Sequence, residues 1–218
     1  MNNASLLIGK TIDSLDGEIG SVHDVYFDDQ AWSLRYLVID TGKWLPGRKV
    51  LVAPEAIVKP WHHQAAVNVK LATDQIRALP DIDTALPVSR ESEELLHRHY
   101  QWKPYWNSTV DPIPSMQQST VPSGAVALAA ASLASANDLA GFHVKASDGE
   151  VGEVEDLLLD DDLSRILFMV VEVKGLLFGK MVLAGPSLIS SVDWENFTVH
   201  VDANRQALKN AQEYKPEV

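Results

Sequence analysis

Apolar residues in this chain come in short runs, spaced as strands are and not as long helices are. Val22, Val25, Tyr26 and Phe27 lie between Gly20 and the pair Asp28-Asp29. They predict a strand over residues 22–27, ended by a turn in which the carboxylates bond their own backbone. Residues 34–39 (Leu-Arg-Tyr-Leu-Val-Ile) and 166–173 predict two more strands. These are apolar on both faces, so each is expected to pack inside a barrel on one side and under something else on the other. Residues 50–52 predict a short strand. Val67, Val69 and Leu71 alternate with polar neighbours, the pattern of a half-buried strand. Asp16-Gly17 and Asp148-Gly149 are hairpin-turn pairs, because the turn needs a positive φ that glycine adopts freely. Gly20 and Gly152, three residues on, suit a bulge or a close backbone approach inside a strand. Residues 73–79 and 203–212 read as short helices.

The chain also matches itself. Shifted by 132 residues, positions 7–71 lie over 139–203 without a gap, with 19 identities in 65. The matched residues include Gly9/Gly141, Asp16/Asp148, Gly20/Gly152, Asp24/Asp156, Asp28/Asp160, Asp29/Asp161, Gly47/Gly179 and Pro54/Pro186. A gapless register with matched glycines is the mark of an internal repeat. Each copy then holds about six short strands, which suggests a small closed barrel, since closure removes exposed edges. The predicted fold class is mainly β. It consists of two such barrels, residues 1–80 and 138–218, with short helices and a linker between them.

The intervening residues 81–137 differ. Ser89 is placed to cap a helix whose first turn carries Glu91, Glu93 and Glu94 and whose last carries His97, Arg98 and His99, the charge order the helix dipole favours. Pro104 marks its end. The aromatic residues Tyr100, Trp102, Tyr105 and Trp106 follow, then a Ser/Thr/Pro/Gln-rich linker over 107–123 and an Ala-rich stretch over 124–136 that reads as a short helix.

Composition narrows the function. Of 218 residues 46% are hydrophobic, enough for a core, and none is cysteine, which removes disulfides, thiolate metal sites and thiol nucleophiles. The net charge is −12, which argues against direct nucleic-acid binding. The charge is uneven: −1 over residues 1–80, −3 over 81–137 and −8 over 138–218. No run approaches the ~20 apolar residues of a membrane span, and the first ten residues lack the pattern of a secretory leader, so a cytoplasmic location is expected.

No nucleophile elbow, phosphate loop, dinucleotide fingerprint or zincin motif occurs. His62-His63 would point to opposite faces of a strand, and His97 and His99 to opposite sides of a helix. All four are read as solvated. The run Asp160-Asp161-Asp162 lacks calcium-loop spacing, and copy one has Asp28-Asp29 at the same place, so turn chemistry is the reading for both. No catalytic residue, metal or cofactor is expected. Two features suit a protein partner. One is Trp102, Tyr105 and Trp106 in the aromatic cluster, which could equally fill the gap between the barrels. The other is the pair of matched apolar hairpin tips, Trp44-Leu45-Pro46 and Leu176-Leu177-Phe178, either docking surfaces or buried on the other barrel.

The pattern Gly-x-x-Val/Ile-x-x-x-Asp-Gly-Glu-x-Gly-x-Val-x-Asp, followed by Asp-Asp, an apolar strand and Val-Leu-x-x-Pro, resembles the PRC-barrel family in both copies, from Gly9 to Pro54 and from Gly141 to Pro186. Residues 44–51 and the helix leading into Trp102–Trp106 look like its tandem bacterial members. The resemblance implies small six-stranded barrels acting as docking modules. The relatives include the cytoplasmic domain of the photosynthetic reaction-centre H subunit and the C-terminal domain of a ribosome maturation factor. This chain lacks the membrane helix of the first and the N-terminal domain of the second. The expected function is therefore a non-catalytic interaction or scaffold module that docks onto a larger complex. Two alternatives remain: a ribosome- or RNA-associated assembly factor, and an accessory of a membrane electron-transport complex. The copies could pack within one chain or exchange across a homodimer.

Overall fold

A computed structural model describes residues 1–61, 64–79, 81–82, 93–94, 96–98, 133–174 and 179–215. The protein is mainly β, with a few short helices. In chain order the first half contributes β1 (Asn2–Asn3), β2 (Thr11–Asp13), β3 (Glu18–Asp28), β4 (Ser33–Asp40), β5 (Lys49–Val52) and β6 (Ala66–Asn68). The second contributes β7 (Ala134–Ser135), β8 (His143–Ala146), β9 (Gly149–Leu159), β10 (Ile166–Val173), β11 (Lys180–Ala184), β12 (Ile189–Asp193) and β13 (Thr198–Val201). Elements recur at the spacing of the sequence match. The helix Ala4–Leu7 is answered by Ala136–Leu139, the 3₁₀ turn Pro54–Ala56 by Pro186–Leu188, and the helix Thr73–Arg77 by Arg205–Lys209.

The strands form two sheets. One runs β5-β4-β3-β2-β6 with β7 added on β3. The other runs β11-β10-β9-β8-β13-β12 with β1 added on β9. Neighbours are antiparallel except β2 with β6 and β8 with β13. The expected closed barrels appear instead as open hydrogen-bonded paths, ending at β5 and β6 and at β11 and β12. At each seam the chain makes a 3₁₀ turn that begins with a proline, which has no N–H to offer a ladder. The N–H groups of Ala56, Ile57 and Leu188 bond carbonyls three residues back, not a neighbouring strand.

The two added dipeptides cross between the halves. Asn2 and Asn3 pair with Leu159 and Leu158, and Ala134 and Ser135 pair with Phe27 and Tyr26. The Ala-rich stretch thus includes strand near its end, at Ala134 and Ser135, before the helix that starts at Ala136. Each half completes the other's sheet, and these contacts are made within one chain. The largest cluster of buried apolar residues likewise runs from Ala4 to Leu208 and draws on both halves. That explains why β3 and β4 are buried along most of their length on both faces: the opposite half covers what a free barrel would leave wet. Their turns meet the opposite half as well, with Leu34 N–H bonding Ser164 O at 3.1 Å and Ile166 N–H bonding Trp32 O at 2.8 Å.

The matched glycines serve close approach. The β2–β3 and β8–β9 ladders each shift register beside Gly20 and Gly152, leaving Ile19 and Val151 as bulges. A Cβ on Gly20 would lie 2.0 Å from Asp40 O, and one on Gly152 1.9 Å from Glu172 O. No side chain fits there without moving a strand. The Gly152→Ala variant is therefore expected to lose about 2 kcal/mol or more of stability in urea titration. Gly185→Ala, where the nearest atom is the Ser187 side chain at 3.9 Å, is expected to lose none. Equal midpoints for the two variants would remove the close-approach account.

Candidate functional site

The matched carboxylates Asp24 and Asp156 are the sockets that receive the crossing segments. Asp24 Oδ2 accepts from Ser135 Oγ at 2.6 Å, and its Oδ1 from Asn137 N–H at 3.2 Å and Val25 N–H at 2.7 Å. Asp156 Oδ2 accepts from Asn3 Nδ2 at 2.7 Å and also from Ser5 Oγ, and its Oδ1 from Ser5 N–H at 3.2 Å and Leu157 N–H at 2.7 Å. Each carboxylate so holds the start of the short helix that leads the opposite half, taking up N–H groups that a helix end leaves unbonded. The geometry is reciprocal, and its sequence trace was the identity Asp24/Asp156.

The acidic turns also face across the junction. Asp28 and Asp160 bond backbone N–H groups of their own loops, as expected for turn residues, and Asp28 pairs with Arg35 at 2.8 Å. Their neighbours contact the other half. Trp194 Nε1 donates to Asp29 Oδ2 at 2.9 Å, Trp61 Nε1 donates to Asp161 O at 3.2 Å, and Lys59 pairs with Asp162 at 2.7 Å. Among the described residues no group of three or more His, Asp or Glu side chains is placed to hold a metal ion.

Of the residues expected to meet a partner, Trp44 and Leu45 lie in the loop after β4. This tip does not project. Trp44 is half-buried against the core, and the Arg77 guanidinium lies 5.4 Å from its ring centroid. Thr41 Oγ1 sits 2.7 Å from Leu45 O and 2.8 Å from Arg48 O, closing the loop. Arg48 in turn donates to Arg77 O at 3.2 Å and to Leu79 O, tying the loop to the helix Thr73–Arg77. The second half repeats the tie, with Lys180 Nζ bonding Lys209 O at 3.3 Å. Leu176, Leu177 and Phe178 lie outside the described residues, as do Tyr100, Trp102, Tyr105 and Trp106.

Beside Trp44 an open cleft of about 710 Å³ is lined by Thr11, Glu18, Ser21, Asp40, Gly42 and Lys43, among others. The corresponding surface of the second half is a mesh of charge. Lys174 Nζ lies 2.6 Å from Glu153 Oε1 and 3.6 Å from Glu150 Oε1, and His143 Nδ1 lies 3.7 Å from Glu153 Oε1 and 3.5 Å from Glu150 Oε1. The bond between them raises the Lys174 pKa above its ordinary value and lowers that of Glu153.

Two residues of the intervening segment depart from expectation. His97, read as solvated, is 7% exposed, and Glu93, read as a charge of the helix's first turn, is fully buried. Both reach Tyr36 on β4: its hydroxyl donates to Glu93 Oε1 at 3.1 Å and lies 2.9 Å from His97 Nε2. A tyrosine buried to 1% exposure needs a partner for its hydroxyl, and the helical residues Glu93 and His97 bring two. A strand position four residues before Asp40 offered no sign of this in the sequence.

Against known proteins, a family model described as the PRC-barrel domain matches residues 1–83. No curated protein matches the chain. Among the described residues no helix is long and apolar enough to cross a membrane.

Burial pushes the Asp24 carboxyl above its ordinary value of 3.8, against the bonds from Ser135, Val25 and Asn137 that pull it down. Its proton is thus held more tightly in the folded chain than in the unfolded one. The stability this contributes is full below the unfolded value and is lost as pH rises through the raised folded value. Asp24→Asn keeps the shape and cannot titrate. Urea titrations of both proteins from about pH 3 to about pH 7 are expected to show wild-type stability falling relative to the variant as pH rises above 3.8. A difference that stays constant with pH would contradict a raised Asp24.

Proposed function

We propose that this protein is a non-catalytic interaction module in which two PRC-type units, residues 1–80 and 138–218, act as one docking body on a larger cytoplasmic complex. The observation that carries this reading is the match of residues 1–83 to the PRC-barrel domain, whose members the sequence resemblance describes as docking modules. The recurrence of strands, turns and helices 132 residues on supports a second unit of the same type. Reciprocal bonding between the halves supports a single rigid body, the form in which a scaffold presents a fixed surface.

The apolar stretches Trp44-Leu45-Pro46 and Leu176-Leu177-Phe178 occupy matched places in the two copies. Trp44 supports its own loop, so its removal is expected to cost stability as well as contact. Phe178 is the tip residue to test. Full-length tagged protein, incubated with native lysate and read by mass spectrometry, is expected to enrich one defined complex. Phe178→Ala is expected to reduce that capture at least fivefold with an unchanged melting temperature. No enrichment over a tag-only control would count against the docking reading. Undiminished capture by the variant would remove the tip from it.

A further inference from the structure

The two halves provide an internal comparison at matched positions. Where the second half carries His143, Glu150, Glu153 and Lys174, the first carries Thr11, Glu18, Ser21 and Gly42. The carboxylate at Glu150 is kept as Glu18. The cation and the second carboxylate are gone, replaced by two small residues. In the second half Lys174 occupies the space over Glu150 and Glu153. In the first half the loss of that side chain coincides with the open cleft of about 710 Å³.

The groups left in the cleft favour a cation from outside. Glu18 is exposed, and its side chain makes no hydrogen bond or ion pair among the described residues. Asp40 replaces Glu172 at the end of β4, and its Oδ1 accepts from Gly42 N–H at 2.8 Å. Lys43 is the basic residue of the lining and forms no ion pair with either carboxylate. Trp44 forms a side wall, and its ring already meets one cation, Arg77. Two carboxylates and an indole lining one cleft are complementary to a side chain that has an apolar stem and a cationic head. The second half shows the same carboxylate position paired with an ammonium.

We propose that this cleft receives a lysine or arginine side chain of a partner protein, its cation bound by Glu18 and Asp40 and its stem lying along Trp44. The proposal rests on the interaction-module reading and names the chemistry of one anchor in that interface. An exposed ion pair alone is weak, so the cleft selects the partner's register while the rest of the surface supplies affinity.

The test uses the full-length, ¹⁵N-labelled chain and three tripeptides with blocked ends: Gly-Lys-Gly, Gly-Arg-Gly and Gly-acetyllysine-Gly. The lysine and arginine peptides are expected to shift the Gly20 and Gly42 amide and Trp44 indole signals saturably, and the acetyllysine peptide is expected to leave them in place. Glu18→Gln is expected to weaken binding at least fivefold. Gly42→Lys, which supplies the second half's cation from within, is expected to abolish it, with melting temperature checked because Gly42 has a φ of 55°. The proposal is overturned by an absence of saturable shifts, by equal shifts from acetyllysine, or by full binding to Glu18→Gln. If lysate capture persists in Glu18→Gln and no peptide binds, the cleft assignment fails and the interaction reading stands. If the peptides bind and nothing is captured, the reading fails and the cleft keeps its ligand chemistry.

Discussion

Two carboxylates hold the halves of this protein together. Asp24 and Asp156 each sit on a long central strand and each accept hydrogen bonds from the segment that leads the opposite half. Hydrogen bonds to a charged group contribute about 1.5–3 kcal/mol, and removing the donors would leave Asp24 buried without them. The crossing strands Asn2–Asn3 and Ala134–Ser135 are too short to be stable alone. They stay in place because a carboxylate acceptor stands at the end of each. From that placement follow the completed sheets, the shared core and the burial of β3 and β4 on both faces.

The junction is reciprocal because its elements recur. Asp16 takes the Thr73 N–H at 2.7 Å and Asp148 takes the Arg205 N–H at 2.7 Å, so each hairpin turn also anchors the helix that closes its own half. These bonds hold both carboxyls below their ordinary values. Gly20 and Gly152 admit a neighbouring strand, and Arg48, just before β5, and Lys180, at the start of β11, tie each sheet edge to that closing helix. What recurs is framework. What differs lies on the surface: Thr11, Ser21 and Gly42 in one half stand against His143, Glu153 and Lys174 in the other. A chain with two similar units can keep the packing of both and vary their outer faces independently, since surface changes away from caps and cores cost little stability.

Much of the framework was legible. Strands over 22–27, 34–39, 50–52 and 166–173 fell inside observed strands, and the helices at Thr73–Arg77 and Arg205–Lys209 lie within the spans read from the chain. Periodicity, turn chemistry and glycine placement are local properties, and local properties are written along the sequence. The repeat added the register, and with it the reason for Gly20 and Gly152. The solvated reading of His97 failed because a helix written in isolation shows its charges but not the buried phenol that meets them. The tip at Trp44 and Leu45 was left between docking surface and burial. The Arg48 bonds and the Arg77 guanidinium decided that it folds onto its own half.

The sequence by itself determined the β character, the positions of strands and turns, the 132-residue repeat and the absence of thiol chemistry. Only the tertiary structure decided which carboxylates are sockets, which turn aspartates face the other half and where an open cleft replaces a salt-bridged surface. The reason is distance along the chain. Ser135 reaches Asp24 across 111 residues and Trp194 reaches Asp29 across 165. The identity of an aspartate states that it needs donors, and only the folded chain states which donors arrive.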